Sequence, residues 1–254
     1  MVFQILISSM NPDPKVFEGL PAPALVISQN SKGEEFQSEK FTFLSFNERG
    51  LSKSRNRAIE NTKSKFALIS DEDVKFVNDI EQKVVDAFQK YPDSDILTFK
   101  IETPEGTPYK TSYPDESFIH TRSTIYRVSS VEIVVRVDSV RKKGLMFDEN
   151  FGLGAKYSSG EEVIFLNDAM NSGLKLRYVP ETLVFHPLES SGKVLDKKYF
   201  RSKGAIVRRL YGFNPSLGLG LLFLAKQFAK KEKIVSLSRA ISESSKGFFS
   251  IKKD

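Results

Sequence analysis

Short apolar runs alternate with amphipathic segments along most of the chain. Apolar runs of four to eight residues between turn residues are typical of buried strands, whereas apolar residues three and four positions apart indicate helices. The pattern predicts strands at Gln4–Ser8, Ala24–Ser28, Phe41–Ser45, Phe66–Ile69, Asp95–Ile101, Glu132–Val137, Leu174–Val179 and Thr182–Phe185. Strands that alternate with helices favour an α/β domain with a largely parallel sheet.

Three segments between these strands have helical spacing. The pattern predicts helices at Gly50–Thr62, from Ile80 to Phe88, and from about Gly160 to Asn171. For the second of them, Asn78 with Glu81 three residues later predicts the N-cap. Prolines between Thr103 and Asp115 predict a loop, and the chain from Gly204 onward has a helical, basic pattern.

Composition limits the available chemistry. The 254 residues include no Cys and only two His, which excludes disulfides, thiolate ligands and a Cys nucleophile. A metal would need oxygen or imidazole ligands, and carboxylates favour Mg²⁺ or Mn²⁺. The sequence has no secretory signal and no unbroken apolar stretch of about 20 residues, so we expect a cytoplasmic protein.

The formal charge of +6 is partly concentrated near the C-terminus. From Lys226 onward, eight Lys and Arg residues face only three acidic ones. A solvated basic surface is the simplest interpretation of this bias, and a basic nucleic-acid-binding protein is a second one. The sequence contains no RNP-like or zinc-finger motif, and such a protein would leave acids at strand ends unexplained. We therefore expect no nucleic-acid partner.

An acidic turn, Asp71-Glu72-Asp73, follows the predicted strand at Phe66–Ile69. Ligands of open α/β sheets bind outside the carboxyl ends of the strands. Three carboxylates this close repel one another unless a cation compensates, and a divalent ion that bridges to a diphosphate would do so. A solvated turn before the next helix is the alternative interpretation.

Charged residues also stand at two predicted helix starts. Arg55 lies in the first turns of the helix upstream of the acidic turn, where its guanidinium could hold a phosphate or a base carbonyl, or could simply be exposed. Glu161 and Glu162 begin the helix that ends near Asn171. They could supply a general base for an acceptor hydroxyl, or could only complement the helix dipole.

Together these segments resemble the family 2 glycosyltransferases, which have the GT-A fold. The run Asn47–Val74 is similar to the family's "G-x-s-x-x-R-N-x-x-i … f-l-D-x-D" pattern, and Ser159–Pro187 is similar to its "G-E-D … G-x-k-i-x-y-x-p … H" pattern. The resemblance implies a GT-A catalytic domain over residues 1–203, with a nucleotide-sugar half at about 1–100 and an acceptor half at about 101–203. Residues 204–254 would form a basic, amphipathic helical extension.

The resemblance also implies roles for individual residues. Asp73 would ligate the metal, and Glu162 occupies the position of the family's catalytic base, usually Asp, with Glu161 before it; which of the two is the base stays open. The family's acidic residue after the second strand is replaced here by Gln29 and Asn30. The expected nucleotide-sugar contacts are Ser8, Gln29, Asn30, Arg55, Asn56, Asp71 and Glu72, and the expected metal ligands are Asp71, Asp73 and His186.

The implied reaction is an inverting sugar transfer that depends on Mn²⁺ or Mg²⁺, with a UDP-sugar as the expected donor. A glycan or a polyprenyl-diphosphate-linked sugar would be the acceptor, in bacterial surface polysaccharide synthesis. Apolar and basic residues within 205–254 predict contact with the inner face of the cell membrane, unless they form an ordinary packed helix. Homo-oligomerisation stays open.

A sugar nucleotidyltransferase is the main alternative function, although such enzymes usually need a Gly-rich loop that the first strand here lacks. The transferase interpretation requires one arrangement. The D-E-D turn, residues 71–73, and the E-E helix start, residues 161–162, must face each other across a single cleft.

Overall fold

The computed structural model describes residues 1–30, 35–111, 113–187, 196–212 and 236–251. The strands are β1 (Phe3–Ser9), β2 (Ala24–Ser28), β3 (Phe36–Gln37), β4 (Phe41–Ser45), β5 (Phe66–Asp71), β6 (Lys75–Phe76), β7 (Ile96–Glu102), β8 (Phe118–Ile119), β9 (Ile133–Arg136) and β10 (Leu176–Phe185). The helices are α1 (Leu51–Asn61), α2 (Ile80–Lys90), α3 (Val137–Lys142), α4 (Glu161–Asn171), α5 (Lys197–Tyr211) and α6 (Leu237–Ser250).

The strands of the described residues form a single mixed sheet in the order β3-β4-β2-β1-β5-β9-β7-β10-β6, with β8 beside β10. The long strands β4, β2, β1 and β5 are parallel to one another, and so are β7 and β10. Between these two groups lies β9, which is antiparallel to both β5 and β7. The expected α/β class with a mostly parallel sheet flanked by helices is confirmed.

The central strands are buried on both faces, which explains why they are continuous apolar runs in the sequence. Successive side chains of a strand point to opposite faces of the sheet. In β1, Ile5 and Ile7 pack in the core that contains Val84 of α2. Leu6 packs in the other core, with Ile59 of α1. All seven residues of β1 are buried.

Two boundaries differ from the sequence prediction. The N-cap of α2 is Asp79 rather than Asn78, and no side-chain hydrogen bond closes it. The predicted strands Leu174–Val179 and Thr182–Phe185 form one strand, β10, whose pairing with β7 shifts register in the middle. Pro180 lies at this irregularity, consistent with the absence of a backbone N–H that could join the ladder.

Helices α5 and α6 approach until their backbones touch. A Cβ on Gly204 of α5 would lie 1.8 Å from the carbonyl oxygen of Ser244, and a Cβ on Gly247 of α6 would lie 1.9 Å from that of Arg201. We call this contact the glycine crossing. Only residues without a side chain allow two helices to come this close.

The described part of the predicted C-terminal extension packs on the domain. Helix α5 begins at Lys197 and continues past residue 204 without a break. The division of the chain into a catalytic domain and an extension at that residue stays a prediction. Residues 213–235 and 252–254 of the extension lie outside the described ranges. No helix within those ranges is long and apolar enough to span a bilayer.

Because of the glycine crossing, Gly247→Ala should lower the free energy of unfolding rather than raise it. In an ordinary helix interior this change stabilises by about 1 kcal/mol. Here the added methyl group forces the helices apart, and overpacking of this kind costs about 1–3 kcal/mol. Urea denaturation should therefore show a lower free energy of unfolding, whereas Ser242→Ala on the exposed face of α6 should leave it unchanged or slightly higher. A stabilised Gly247→Ala protein would contradict the close approach.

Candidate active site

The start of α1 is held from two sides. The Gln29 side chain, just after β2, donates from Nε2 to the Gly50 carbonyl at 3.0 Å and accepts from the Gly50 N–H at 3.2 Å. From the other side, the Leu51 N–H donates to the carbonyl of Leu153 at 2.8 Å. Gly50 adopts φ 127°, which disfavours any residue with a side chain. These contacts fix the helix that carries Arg55.

Arg55 joins the two acidic segments. Its side chain is only 1% exposed, and its guanidinium lies 3.0 Å from Asp71 Oδ1 and 3.1 Å from Glu161 Oε1. The ring of Phe147 lies 5.5 Å from the guanidinium carbon. The interpretation of Arg55 as an exposed charge is wrong. Its paired hydrogen bonds go to two carboxylates of the protein, and this brings the D-E-D turn and the E-E helix start together.

The other two acids of the turn have different surroundings. Glu72 accepts a short hydrogen bond from the Ser9 hydroxyl at the end of β1. Asp73 is 68% exposed, and its Oδ2 lies 3.8 Å from His186 Nε2. His186 Nδ1 contacts the Pro187 carbonyl at 2.7 Å. Because a carbonyl can only accept, Nδ1 carries a proton and Nε2 is the ring nitrogen that faces Asp73.

Asp73 and His186 offer two donor atoms of the kinds that bind divalent metals. A carboxylate oxygen and an imidazole nitrogen are both ligands of divalent ions, and 3.8 Å is too long for a hydrogen bond between Asp73 Oδ2 and His186 Nε2. Within the described residues, no three His, Asp or Glu side chains form a complete metal site. Mg²⁺ and similar ions are often held by one or two protein ligands together with substrate phosphates. The donor set of Asp73 and His186 therefore suits such a shared ion.

The two glutamates at the start of α4 differ in character. Glu161 is buried and bound to Arg55. Glu162 is partly exposed toward the cleft, yet burial and then the neighbouring Glu161 charge raise its pKa from 4.5 to about 8, with Arg55 opposing the rise. A carboxylate with a pKa near the working pH is suited to take a proton from a substrate.

A cleft of about 900 Å³ opens between these elements. Most of the residues predicted to bind nucleotide, metal or acceptor line it: Ser8, Gln29, Arg55, Asp71, Glu72, Asp73, Glu161, Glu162 and His186. The D-E-D turn and the E-E helix start thus share a single cleft, which is the arrangement that the transferase interpretation requires.

Two predicted nucleotide contacts point elsewhere. Asn56 donates to the Phe147 carbonyl at 3.0 Å and accepts from the Phe147 N–H at 2.7 Å, so it anchors the loop after α3. Asn30 donates to the Ser28 hydroxyl at 2.6 Å. Neither is among the described residues that line the cleft. Gln29 does line it, although its amide is bonded to Gly50.

Polar atoms without partners are concentrated at the cleft. Among the described residues, five buried side-chain polar atoms lack a hydrogen bond, and four belong to residues that line the cleft: Ser8 Oγ, Arg55 Nε, Ser159 Oγ and Glu161 Oε2. Buried polar groups are normally paired, because leaving one unpaired costs about 1–3 kcal/mol. Their concentration at one place is typical of a site that a ligand completes.

Glu132 is a buried acid to which the sequence pattern assigned no role. Its carboxylate accepts from Lys110 Nζ at 2.6 Å, from the Ser129 N–H at 2.5 Å and from the Tyr113 hydroxyl. It therefore ties the loop predicted at residues 103–115 to the segment before β9. The spacing of Ser129 and Glu132 is that of a capping box, which was the available sequence signal.

This buried cluster supports one wall of the cleft. Ser130, two residues before Glu132, donates to Asp71 Oδ2 at 3.4 Å. Tyr109, beside Lys110, places its ring 5.4 Å from His186 in an edge-on contact. Both Tyr109 and Ser130 line the cleft.

The backbone matches solved structures of S. aureus TarS. The TarS 1-349 complex with UDP-GlcNAc aligns with a TM-score of 0.67 and 14% identity, over 96% of this chain and 79% of that chain. The TarS 1-349 complex with UDP aligns with a TM-score of 0.66 and 15% identity, over 96% and 80%. The chain has the GT-A fold.

The GT-A match also extends to a longer TarS structure, with a TM-score of 0.64 and 15% identity, over 94% of this chain and 46% of TarS. No family model and no curated protein matches the chain. In this GT-A domain the carboxyl ends of β1 and β5 lie side by side, with Ser8 paired in register with Asp71. The cleft lies at these ends, as expected for an α/β sheet.

Arg55→Met should destabilise the protein strongly. Removal of one partner from a buried ion pair leaves an uncompensated charge and costs about 3–5 kcal/mol. The matched control is Arg57→Met, two positions along α1, where the side chain is 43% exposed, forms surface ion pairs and lies over the Phe46 ring. That change should cost less than about 1 kcal/mol. Urea denaturation measures both, and equal losses would contradict a structural role for Arg55.

The raised pKa of Glu162 predicts that the free energy of unfolding depends on pH. Between its ordinary value of 4.5 and about 8 the unfolded chain has released this proton while the folded protein keeps it. The free energy of unfolding therefore falls as the pH rises through this range. Glu162→Gln should show a smaller fall between about pH 5 and about pH 8 in urea titrations. Glu181→Gln, an exposed position outside the cleft, should show the wild-type fall.

Proposed function

We propose that this chain is a glycosyltransferase that moves a sugar from a UDP-sugar to an acceptor hydroxyl. The observation that carries the proposal is the Arg55 bridge, which holds the D-E-D turn and the E-E helix start in one cleft. The fold supports it, since TarS has the same architecture in its complexes with UDP-GlcNAc and UDP. The unpartnered polar atoms at the cleft support it as well.

The nucleotide is proposed to lie at the carboxyl ends of β1, β2 and β5. Ser8 offers an unpartnered buried hydroxyl there, next to Asp71 in the sheet register. Arg55 already holds one oxygen of Asp71, which leaves Oδ2, beside Ser130, to accept a hydrogen bond from the ribose. In this proposal Glu72, bound by Ser9, shapes the turn.

Asp73 and His186 are proposed to hold Mn²⁺ or Mg²⁺ together with the diphosphate. The bound ion would neutralise the charge that develops on the departing diphosphate. The Pro187 carbonyl fixes the His186 tautomer that leaves Nε2 free to bind. The exposure of Asp73 leaves its carboxylate accessible to the ion.

Glu162 is proposed as the general base, with Glu161 in a supporting role. Arg55 binds Glu161, and the Glu161 charge helps to raise the pKa of Glu162. Glu162 would take the proton of the acceptor hydroxyl as its oxygen bonds to the anomeric carbon. UDP would leave from the opposite face with the electron pair of the broken bond, so that the sugar inverts.

The acceptor is proposed to be a glycan or a polyprenyl-diphosphate-linked sugar in surface polysaccharide synthesis. Contact of residues 205–254 with the inner face of the membrane belongs to this proposal. In the described part of that range, α6 exposes Ile241 at 47% and Phe249 at 67%. Exposed apolar side chains near basic residues are typical of helices that lie on a membrane surface.

Donor binding is tested first by thermal denaturation. UDP-GlcNAc with Mn²⁺ should raise the melting temperature, because a ligand at 100 times its dissociation constant stabilises by about 2.7 kcal/mol. Asp73→Asn should lose the part of the shift that depends on Mn²⁺. Asp79→Asn, at a 61% exposed position outside the cleft, should keep it. An equal Mn²⁺-dependent shift in both variants would contradict the metal site.

Turnover is tested by the release of UDP from UDP-GlcNAc. Glu162→Gln should lower the rate by about 10²- to 10⁴-fold, the usual contribution of a general base, with donor affinity retained. In the wild type the rate should rise with pH toward about 8, the pKa of Glu162. If folded Glu162→Gln turns over normally while Glu161→Gln does not, the two roles are reversed.

A further inference from the structure

Helix α5 fixes the start of α4, where the proposed base lies. A Cβ on Gly160, the residue before Glu161, would lie 2.3 Å from Ile206 Cδ1 of α5. One turn earlier on α5, the Ser202 hydroxyl accepts from the Ser158 N–H at 3.0 Å. Gly160 adopts φ 102°, so both space and backbone conformation require glycine there. The E-E helix start is therefore packed directly on α5.

Helix α6 holds α5 in place from behind. At the glycine crossing the backbones of the two helices touch. The hydroxyl of Ser250 in α6 also lies 2.7 Å from that of Tyr157, three residues before Gly160. At the other end of α5, Arg209 binds Asp168 of α4 at 2.7 Å and Asp148 at 2.9 Å. These contacts give α5 a fixed position relative to α4.

The first turn of α5 reaches the cleft. Lys198 and Tyr199 line it, whereas the adjacent Lys197 does not. Asp196 caps the helix, because its carboxylate accepts from the Tyr199 N–H at 2.8 Å. Burial raises the pKa of Tyr199, so its phenol stays protonated and can donate a hydrogen bond. Two polar side chains of α5 thus face the same space as the glutamates of α4.

Two buried polar atoms of this wall have no hydrogen-bond partner among the described residues. Glu161 Oε2 and Ser159 Oγ are buried and unpaired, and Glu161 as a whole is only 4% exposed. Lys198 and Tyr199 of α5 line the same cleft and add an ammonium and a phenol to these groups. A carboxylate accepts from a hydroxyl, an ammonium donates to one, and serine and tyrosine hydroxyls do both. This combination matches a molecule that carries several hydroxyl groups.

We propose that Ser159, Glu161, Lys198 and Tyr199 form the acceptor wall, a subsite that binds a sugar beside the donor. The inference rests on the proposed function and gives it a location for the acceptor. It also makes α5 and α6 part of the working site. Glu162, the proposed base, lines the same cleft as this wall and the D-E-D turn, so an acceptor hydroxyl and the donor sugar would meet there.

Saturation-transfer NMR with methyl glycosides tests the wall. A panel of methyl glucoside, galactoside and N-acetylglucosaminide is added to the protein together with UDP. At least one glycoside should receive saturation in the wild type, and Lys198→Gln and Tyr199→Phe should reduce that signal at least several-fold. Lys197→Gln, which removes the same charge one residue away and outside the cleft, should leave it unchanged.

The outcomes separate the two proposals. If UDP itself receives no saturation, the proposed function fails. If UDP binds but no glycoside does, or if Lys198→Gln and Tyr199→Phe match the wild type, the acceptor wall is overturned. Gly247→Ala, measured below its melting temperature, should keep the UDP signal and weaken the glycoside signal. An unchanged glycoside signal in that variant would overturn the bracing role of α6.

Discussion

The buried guanidinium of Arg55 sets the geometry on which the candidate site depends. It is 1% exposed and forms ion pairs with Asp71 and Glu161, which come from segments 90 residues apart in the chain. Transfer of these charges out of water is costly, and they are tolerated only when all of them meet with good geometry. Because these charges must meet, they fix the relative positions of three elements: α1, the carboxyl end of β5 and the start of α4.

This cluster leaves the site electrostatically incomplete. One arginine faces two bound carboxylates, and Glu162 stands beside them with a raised pKa. The unpartnered atoms Ser8 Oγ, Arg55 Nε and Glu161 Oε2 lie in the same cleft. Functional sites commonly hold such unsatisfied and shifted groups, because a substrate or ion supplies the missing partners. A sugar nucleotide with a divalent ion and a hydroxylated acceptor would supply them here.

The C-terminal helices contribute to the same arrangement. The domain boundary expected at residue 204 lies within α5, and this helix packs on the start of α4. Close packing transmits position, because a well-packed interior does not deform continuously. The closest contacts in this packing are at Gly160 and at the glycine crossing. The helix pair thus packs on the start of α4, where the proposed base Glu162 lies.

The sequence alone determined the elements and the chemical inventory. Continuous apolar runs located β1, β2 and β5 because these strands are buried on both faces, and the acids at the end of β5 marked the site. Other features depended on contacts between distant segments. Four such features leave little periodic signal in the sequence. They are the antiparallel direction of β9, the pairing of Asn56 with Phe147, the burial of Glu132 and the position of Tyr199 at the cleft. Local pattern records which face of a segment is apolar, whereas only the folded chain decides which charges and hydroxyls meet across that face.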